Sequence, residues 1–173
     1  MSPKLEPRMM QVKTFFAINP PENKSDMLPK DSLGLVCPKC GMLLDEDYIN
    51  PNFKIPRNSP DLSSTYDGYR IASAKFRDVI ESSEYGGIEF RLLPGSPGFF
   101  AMKVENELKL TRPPELKFEE LCSECDRYVS VWGWAAVALI IPPHVIVDGL
   151  YRCDLKMGYR NLMLAPLIAT RRF

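Results

Sequence analysis

Four cysteines with regular spacing are the residues best suited to chemistry in this chain: Cys37 and Cys40 in Cys37-Pro38-Lys39-Cys40-Gly41, and Cys122 and Cys125 in Cys122-Ser123-Glu124-Cys125-Asp126. Each C-x-x-C turn offers two sulfurs to one side of an ion, and two turns complete the tetrahedron of thiolates that zinc favours. The positions after the two second cysteines differ. Gly41 adopts the positive φ such a knuckle needs at little cost, whereas Asp126 does so less easily, so the turn at 122–126 is the less ideal one. Two other readings exist for these residues: a redox pair at Cys37 and Cys40, or buried thiols without a ligand. The redox reading lacks the helical run that should follow the second cysteine, because Gly41 stands there. A tetrathiolate site is closed, so zinc held by Cys37, Cys40, Cys122 and Cys125 is structural and its binding energy is folding energy.

The remaining reactive residues are sparse. Cys153 lies in the alternating stretch Leu150-Tyr151-Arg152-Cys153-Asp154-Leu155 and reads as a buried thiol rather than a nucleophile. The single histidine, His144, sits between Pro142-Pro143 and Val145 without a nearby carboxylate or serine, which makes it structural rather than a general base. Asp45-Glu46-Asp47 reads as a solvated acidic loop in preference to a hard-cation site. Phosphate-binding glycine loops, H-E-x-x-H and G-x-S-x-G motifs are all missing. An enzyme is not expected.

The elements that must position these residues are short. Sixteen prolines and ten glycines break the 173-residue chain into many pieces and argue against a helical bundle. One helix is expected, opening at the N-cap Ser73, presenting Phe76, Val79 and Ile80 on one face, and stopping at Tyr85-Gly86-Gly87. Strands are expected over 11–18, 88–93, 98–104, 107–110, 128–141, 149–155 and 162–170, with irregular loop around short strands across 44–67. The fold class is therefore α+β, mostly antiparallel strands with one clear helix, stapled by a four-cysteine zinc-ribbon-like site. Residues 1–173 read as a single domain, with knuckles at 37–41 and 122–126 framing a helix-hairpin segment.

Composition limits the partners. Hydrophobic residues at 45% and charged residues at 25% place the chain among globular proteins. Lys plus Arg and Asp plus Glu are both 22, so no global field attracts nucleic acid or membrane. This neutrality hides an asymmetry: residues 1–126 carry 16 basic and 20 acidic side chains, residues 127–173 six basic and two acidic. Compensation between the two parts within one fold is the expectation. The uncharged stretch 128–147 is broken by Ser130, the two prolines and His144, leaving too short an apolar run for a membrane span. The first ten residues carry Lys4, Glu6 and Arg8 with no apolar run, unlike a secretory signal, so a cytoplasmic setting is expected.

The order of motifs also carries a resemblance. After the CPxCG knuckle come Ile71-Ala72-Ser73-Ala74-Lys75-Phe76-Arg77-Asp78-Val79-Ile80, then Gly87-Ile88-Glu89-Phe90 and Gly98-Phe99-Phe100, the second C-x-x-C, and Gly149-Leu150-Tyr151-Arg152-Cys153-Asp154-Leu155. Over roughly residues 35 to 168 this resembles the double-CxxCG motif proteins and related zinc-knuckle immunity proteins of bacterial polymorphic toxin systems. The second knuckle departs from that pattern, with Asp126 where the family has glycine. The resemblance implies a cytoplasmic antitoxin with structural zinc on Cys37, Cys40, Cys122 and Cys125, which binds one cognate toxin and occludes its active site. Toxin-contacting residues do not carry over, because such surfaces differ with each toxin. The competing function is a zinc-ribbon nucleic-acid-binding or transcription-associated module. The basic residues of the C-terminal third are too scattered to favour it.

Overall fold

A computed structural model describes residues 15–83, 85–133, 148–160 and 165–170, together with the backbone of 139–140. Twelve short strands and one helix are present among them. His144, Pro142 and Pro143 lie outside the described residues, as does the N-terminal part of the strand expected over 11–18.

Three sheets organise the molecule. The largest contains β1 (Phe15–Ile18), β6 (Glu107–Leu110), β9 (Leu139–Ile140), β10 (Leu150–Cys153) and β12 (Leu167–Thr170), in the order β1-β12-β10-β6-β9. Its pairings are antiparallel except for β10 with β6. The second sheet has the order β2-β3-β5-β4, from β2 (Leu62–Ser64), β3 (Arg70–Ser73), β5 (Phe99–Val104) and β4 (Ile88–Leu92). The third is a ribbon of β11 (Gly158–Tyr159), β8 (Tyr128–Trp132) and β7 (Lys117–Leu121), in that order. The architecture is thus mostly antiparallel sheet with one short helix, as the sequence implies.

Alternation along β12 explains how the layers stack. Leu167 and Ala169 join Leu150, Ala72, Met102 and Val104 in the core between the five-stranded and four-stranded sheets. Ile168 points the other way and packs with Leu108, Leu110, Cys153, Leu116 and Val131, where the ribbon covers the opposite face. The far side of the four-stranded sheet places Ile71 and Ala101 against Met27 and Phe53 from the proline-rich loops. Those loops therefore form a wall of the core.

The helix, α1 (Ala74–Ser82), starts where the sequence places it. Ser73 Oγ accepts from the Phe76 N–H at 3.1 Å and donates to Asp61 Oδ1 at 2.8 Å. That donation, with Lys75 Nζ 3.0 Å away, holds the Asp61 carboxyl below the usual carboxylate range. The end differs from expectation. The helix stops before the glycines, with Ser82 and Ser83 hydroxyls donating back to the carbonyls of Val79 and Ile80. Gly87, at φ 75°, instead turns the chain into β4, and the space a Cβ would occupy there holds the Asn106 side chain. Val79 faces solvent, so only Ile80 and Phe76 of the expected apolar face pack inward.

The strand expected over 128–141 is observed as β8 and β9, with 134–138 outside the described residues. Strand β2 is a short strand of the kind expected within 44–67, whereas β3, β7 and β11 go beyond the sequence expectation: β7 has no apolar alternation to reveal it, and β11 is two residues long. No helix among the described residues is long and apolar enough to cross a membrane.

Leu150 is fully buried at the centre of the inter-sheet core. Leu150→Ala is expected to cost about 3 kcal/mol. Urea denaturation checks this as a lower midpoint with an unchanged slope.

Candidate metal centre

Both knuckles are tight turns at the tips of hairpins, and their backbones match. In the first, the Cys37 N–H donates to Met42 O and the Gly41 N–H to Cys37 O, each at 2.8 Å, while Val36 pairs with Leu43. In the second, which connects β7 to β8, the Cys122 N–H donates to Arg127 O and the Asp126 N–H to Cys122 O, each at 2.9 Å. The residue after the second cysteine has positive φ in both turns, 74° at Gly41 and 54° at Asp126. Asp126 therefore occupies the conformation that glycine adopts more cheaply, in line with the sequence.

The turns bring the four sulfurs of Cys37, Cys40, Cys122 and Cys125 within 4.8 Å of one another. Cys37 Sγ lies 3.8 Å from Cys122 Sγ, and Cys40 Sγ lies 3.6 Å from Cys125 Sγ. A zinc ion about 2.3 Å from each sulfur would have tetrahedral edges of about 3.8 Å, so these distances suit it. All five cysteines are free thiols. The chain after Cys40 turns back through Gly41 to Met42 and Leu43 instead of entering a helix, so the setting does not match a redox C-x-x-C.

The electrostatics point the same way. The Cys122 thiol is drawn down to about 7, chiefly because the Glu124 backbone N–H donates to its sulfur, with Cys125 N–H adding to this. Burial pushes Cys40 up to about 12, against a donation from the Met42 N–H. Cys125 is also raised, chiefly by burial, although the Arg127 N–H donates to it. Met42 and Arg127 occupy equivalent places, each two residues after the second cysteine of its turn. The backbone thus supplies N–H groups suited to thiolates, and burial of Cys40 and Cys125 opposes a full set of four thiolates without a cation beside them.

Around the sulfurs, Met42 and Val129 complete a small buried cluster. Lys39 Nζ donates to Ser123 Oγ at 2.6 Å, tying the knuckle tips together. Arg127 Nη1 donates to Leu43 O at 2.7 Å, crossing from the second hairpin to the first. Four protein sulfurs fill a tetrahedral shell, so the cluster is compatible with a structural metal such as zinc and has no open vertex for a substrate.

The other residues considered from sequence lie elsewhere. Cys153 is fully buried among Leu108, Leu116 and Ile168, and burial pushes its thiol up to about 11. The acidic run 45–47 is engaged in ion pairs, which local sequence does not reveal. Asp47 meets Lys103 at 2.8 Å and Arg91 at 3.3 Å, and Glu46 meets Lys156 at 2.5 Å and Arg127 at 3.8 Å. Asp154 of the late YRxDL stretch accepts from the Leu110 N–H at 2.9 Å and pairs with Arg112 at 2.7 Å. Its neighbour Arg152 pairs with Glu107 at 2.7 Å. That motif joins β10 to β6.

No protein-family model matches the chain, and neither does any curated protein. The four-cysteine cluster is accordingly supported by its own geometry, and the likeness to the double-CxxCG proteins by the motifs alone.

Metal analysis of the purified chain is expected to give one zinc ion per chain. Strong chelation or Cys122→Ser is expected to lower the melting temperature of the whole fold. The two knuckles also make a paired prediction. Asp126→Gly relieves a left-handed non-glycine residue and is expected to stabilise by up to about 1 kcal/mol. Gly41→Ala, where the added Cβ meets nothing within 4 Å, is expected to destabilise by about 1 kcal/mol through backbone conformation alone. Denaturant titration of the two variants reads both signs.

Proposed function

We propose that this chain is a non-catalytic binding protein that neutralises a cognate bacterial toxin in the cytoplasm, with structural zinc bound by Cys37, Cys40, Cys122 and Cys125. The observation that carries the reading is the exposed face of the cysteine ribbon. All five residues of β7 are exposed, and Leu121 and Trp132 keep 54% and 49% of their surface in solvent beside half-exposed Tyr128. Tyr and Trp of this kind are common anchors in protein interfaces. Glu119 and Glu120 lie in the same strand and Glu124 in its turn, with Lys117 opposite Trp132, and none of the three glutamates forms an ion pair with a basic side chain among the described residues. Apolar anchors amid uncompensated carboxylates fit a basic protein surface, with association steered by charge. The clamped hairpin lies in place before binding, so little ordering entropy is lost on docking. A nucleic-acid role suits this face poorly, since the same carboxylates repel a phosphate backbone.

The reading is tested by co-expressing the chain with the product of the adjacent gene. Growth rescue and co-purification are expected. With Glu119→Lys and Glu120→Lys together, association is expected to slow by at least about tenfold and to lose most of its salt dependence. An adjacent product that neither harms cells nor binds the chain removes the reading.

A further inference from the structure

Strand β4 closes one side of the four-stranded sheet, with β5 as its neighbour on the inner side. The Leu93 N–H donates to Phe99 O at 3.0 Å, and the Glu105 N–H donates to Gly87 O at 2.8 Å. Hydrogen-bonded pairs alternate along an antiparallel ladder. The register from Ile88 with Val104 to Leu92 with Phe100 therefore commits Gly87, Glu89, Arg91 and Leu93 to β5. Ile88, Phe90 and Leu92 turn their N–H and C=O groups away from the sheet. No hydrogen bond reaches these groups among the described residues.

The other sheet edges among the described residues are shorter, covered or distorted. Along β2, the Ser64 N–H donates to Pro21 O and Ser64 O accepts from the Asn23 N–H, so a loop covers that edge. Strands β9 and β11 have two residues each and β1 has four, and Glu120 interrupts β7. Strand β4 has five residues, with no proline and no positive φ. Charge normally blunts such an edge, because like charges repel a second copy. Here the two charges differ in sign. Glu89 and Arg91 share one face, while Ile88, Phe90 and Leu92 share the other, where Leu92 is 58% exposed.

We propose that β4 is the interface of a homodimer, in which the β4 strands of two copies pair antiparallel about a two-fold axis at Phe90 and join the two four-stranded sheets into one. Charge selects this register. An axis at residue 89 sets Glu89 against Glu89, and an axis at residue 91 sets Arg91 against Arg91; like charges directly opposite destabilise a ladder. An axis at Phe90 sets each Glu89 against Arg91 of the second copy. These are non-hydrogen-bonded positions, where facing side chains lie closest. Glu89 Oε1 is already 3.8 Å from Arg91 Nε of its own strand, so the four charges alternate in sign around a rectangle. Arg91 keeps its contact with Asp47 at 3.3 Å. On the opposite face, Ile88 of the second copy covers Leu92 and the two Phe90 rings meet, a favourable cross-strand pairing. Strand β4 and the cysteine ribbon belong to different sheets, so the dimer stands whether or not the chain neutralises a toxin.

Sedimentation velocity on the zinc-loaded full chain, from micromolar to millimolar concentration, tests the proposal. A monomer–dimer equilibrium is expected, with the amides of Ile88, Phe90 and Leu92 protected from hydrogen exchange only where the dimer is populated. Glu89→Arg and Arg91→Glu are each expected to weaken self-association by about tenfold, because symmetry makes each like-charge contact occur twice. An equimolar mixture of the two variants is expected to restore the dimer, since every arginine then faces a glutamate of the other chain. Four results would overturn the assignment: a chain that stays monomeric at millimolar concentration, a dimer in which those three amides exchange freely, undiminished self-association of Glu89→Arg, or variants folded by circular dichroism that do not pair when mixed.

Discussion

Four thiols, three of them buried, held within 4.8 Å of one another cannot all ionise unless a cation sits among them. That constraint governs more than the cysteines. The second knuckle is the turn of the β7–β8 hairpin, and this hairpin carries Val131 onto the outer face of the five-stranded sheet. The first knuckle belongs to the loop that also carries Leu43 to the four-stranded sheet and Glu46 and Asp47 to their ion pairs. A metal at the sulfurs therefore fixes the ribbon against one sheet and the proline-rich loop against another. Residues 37 and 122 are distant in sequence, and closing a loop of that length loses entropy that few weak contacts could offset; coordination bonds can.

The parts of this arrangement legible in the sequence are those with local causes. Ser73 announces the helix because an N-cap hydroxyl needs only the N–H three residues on. The β4–β5 hairpin follows from two apolar runs around Pro94-Gly95-Ser96-Pro97, and its register, Leu92 with Phe100 through Ile88 with Val104, continues without interruption. The cysteine spacing names the four residues that the fold brings together. What cannot be read is whatever depends on distant partners. Strand β7 is exposed throughout and is ordered by pairing with β8, so it has no periodic signal of its own. The helix end escapes a local reading because serine hydroxyls can close a helix as well as a glycine can, and their choice depends on which carbonyls stand free. The acidic run reads as a solvated loop because Lys103, Arg91, Lys156 and Arg127 come from remote parts of the chain.

Those same pairs explain how a chain of zero net charge sustains regions of opposite sign. Arg127, Arg152 and Lys156 of the basic C-terminal third each meet an acid from the first two-thirds, Glu46 or Glu107. Compensation is thus local at the seams between elements. Among the described residues it leaves Glu119, Glu120 and Glu124 on the ribbon, and Arg70 at the start of β3, without an ion pair. Exposed charge of this kind costs little in water, so it persists at an outer face without a structural role. A charge further inside has less allowance, and half-buried Arg70 donates to the carbonyl of Ala165.

Strand β7 is an edge of its sheet. An outer strand with free N–H and C=O groups is a template for pairing with another chain, and proteins blunt such edges with charge and local distortion. Both are present here: Lys117, Glu119 and Glu120 line the strand, and Glu120 adopts φ 54°, which interrupts its pairing register between Glu119 and Leu121. Backbone pairing along this edge is accordingly limited to short pieces. What the ribbon offers outward is mainly side chains, with Leu121, Tyr128 and Trp132 exposed beside Glu119 and Glu120. Substitution at these exposed positions leaves the cysteine turns that hold the ribbon untouched.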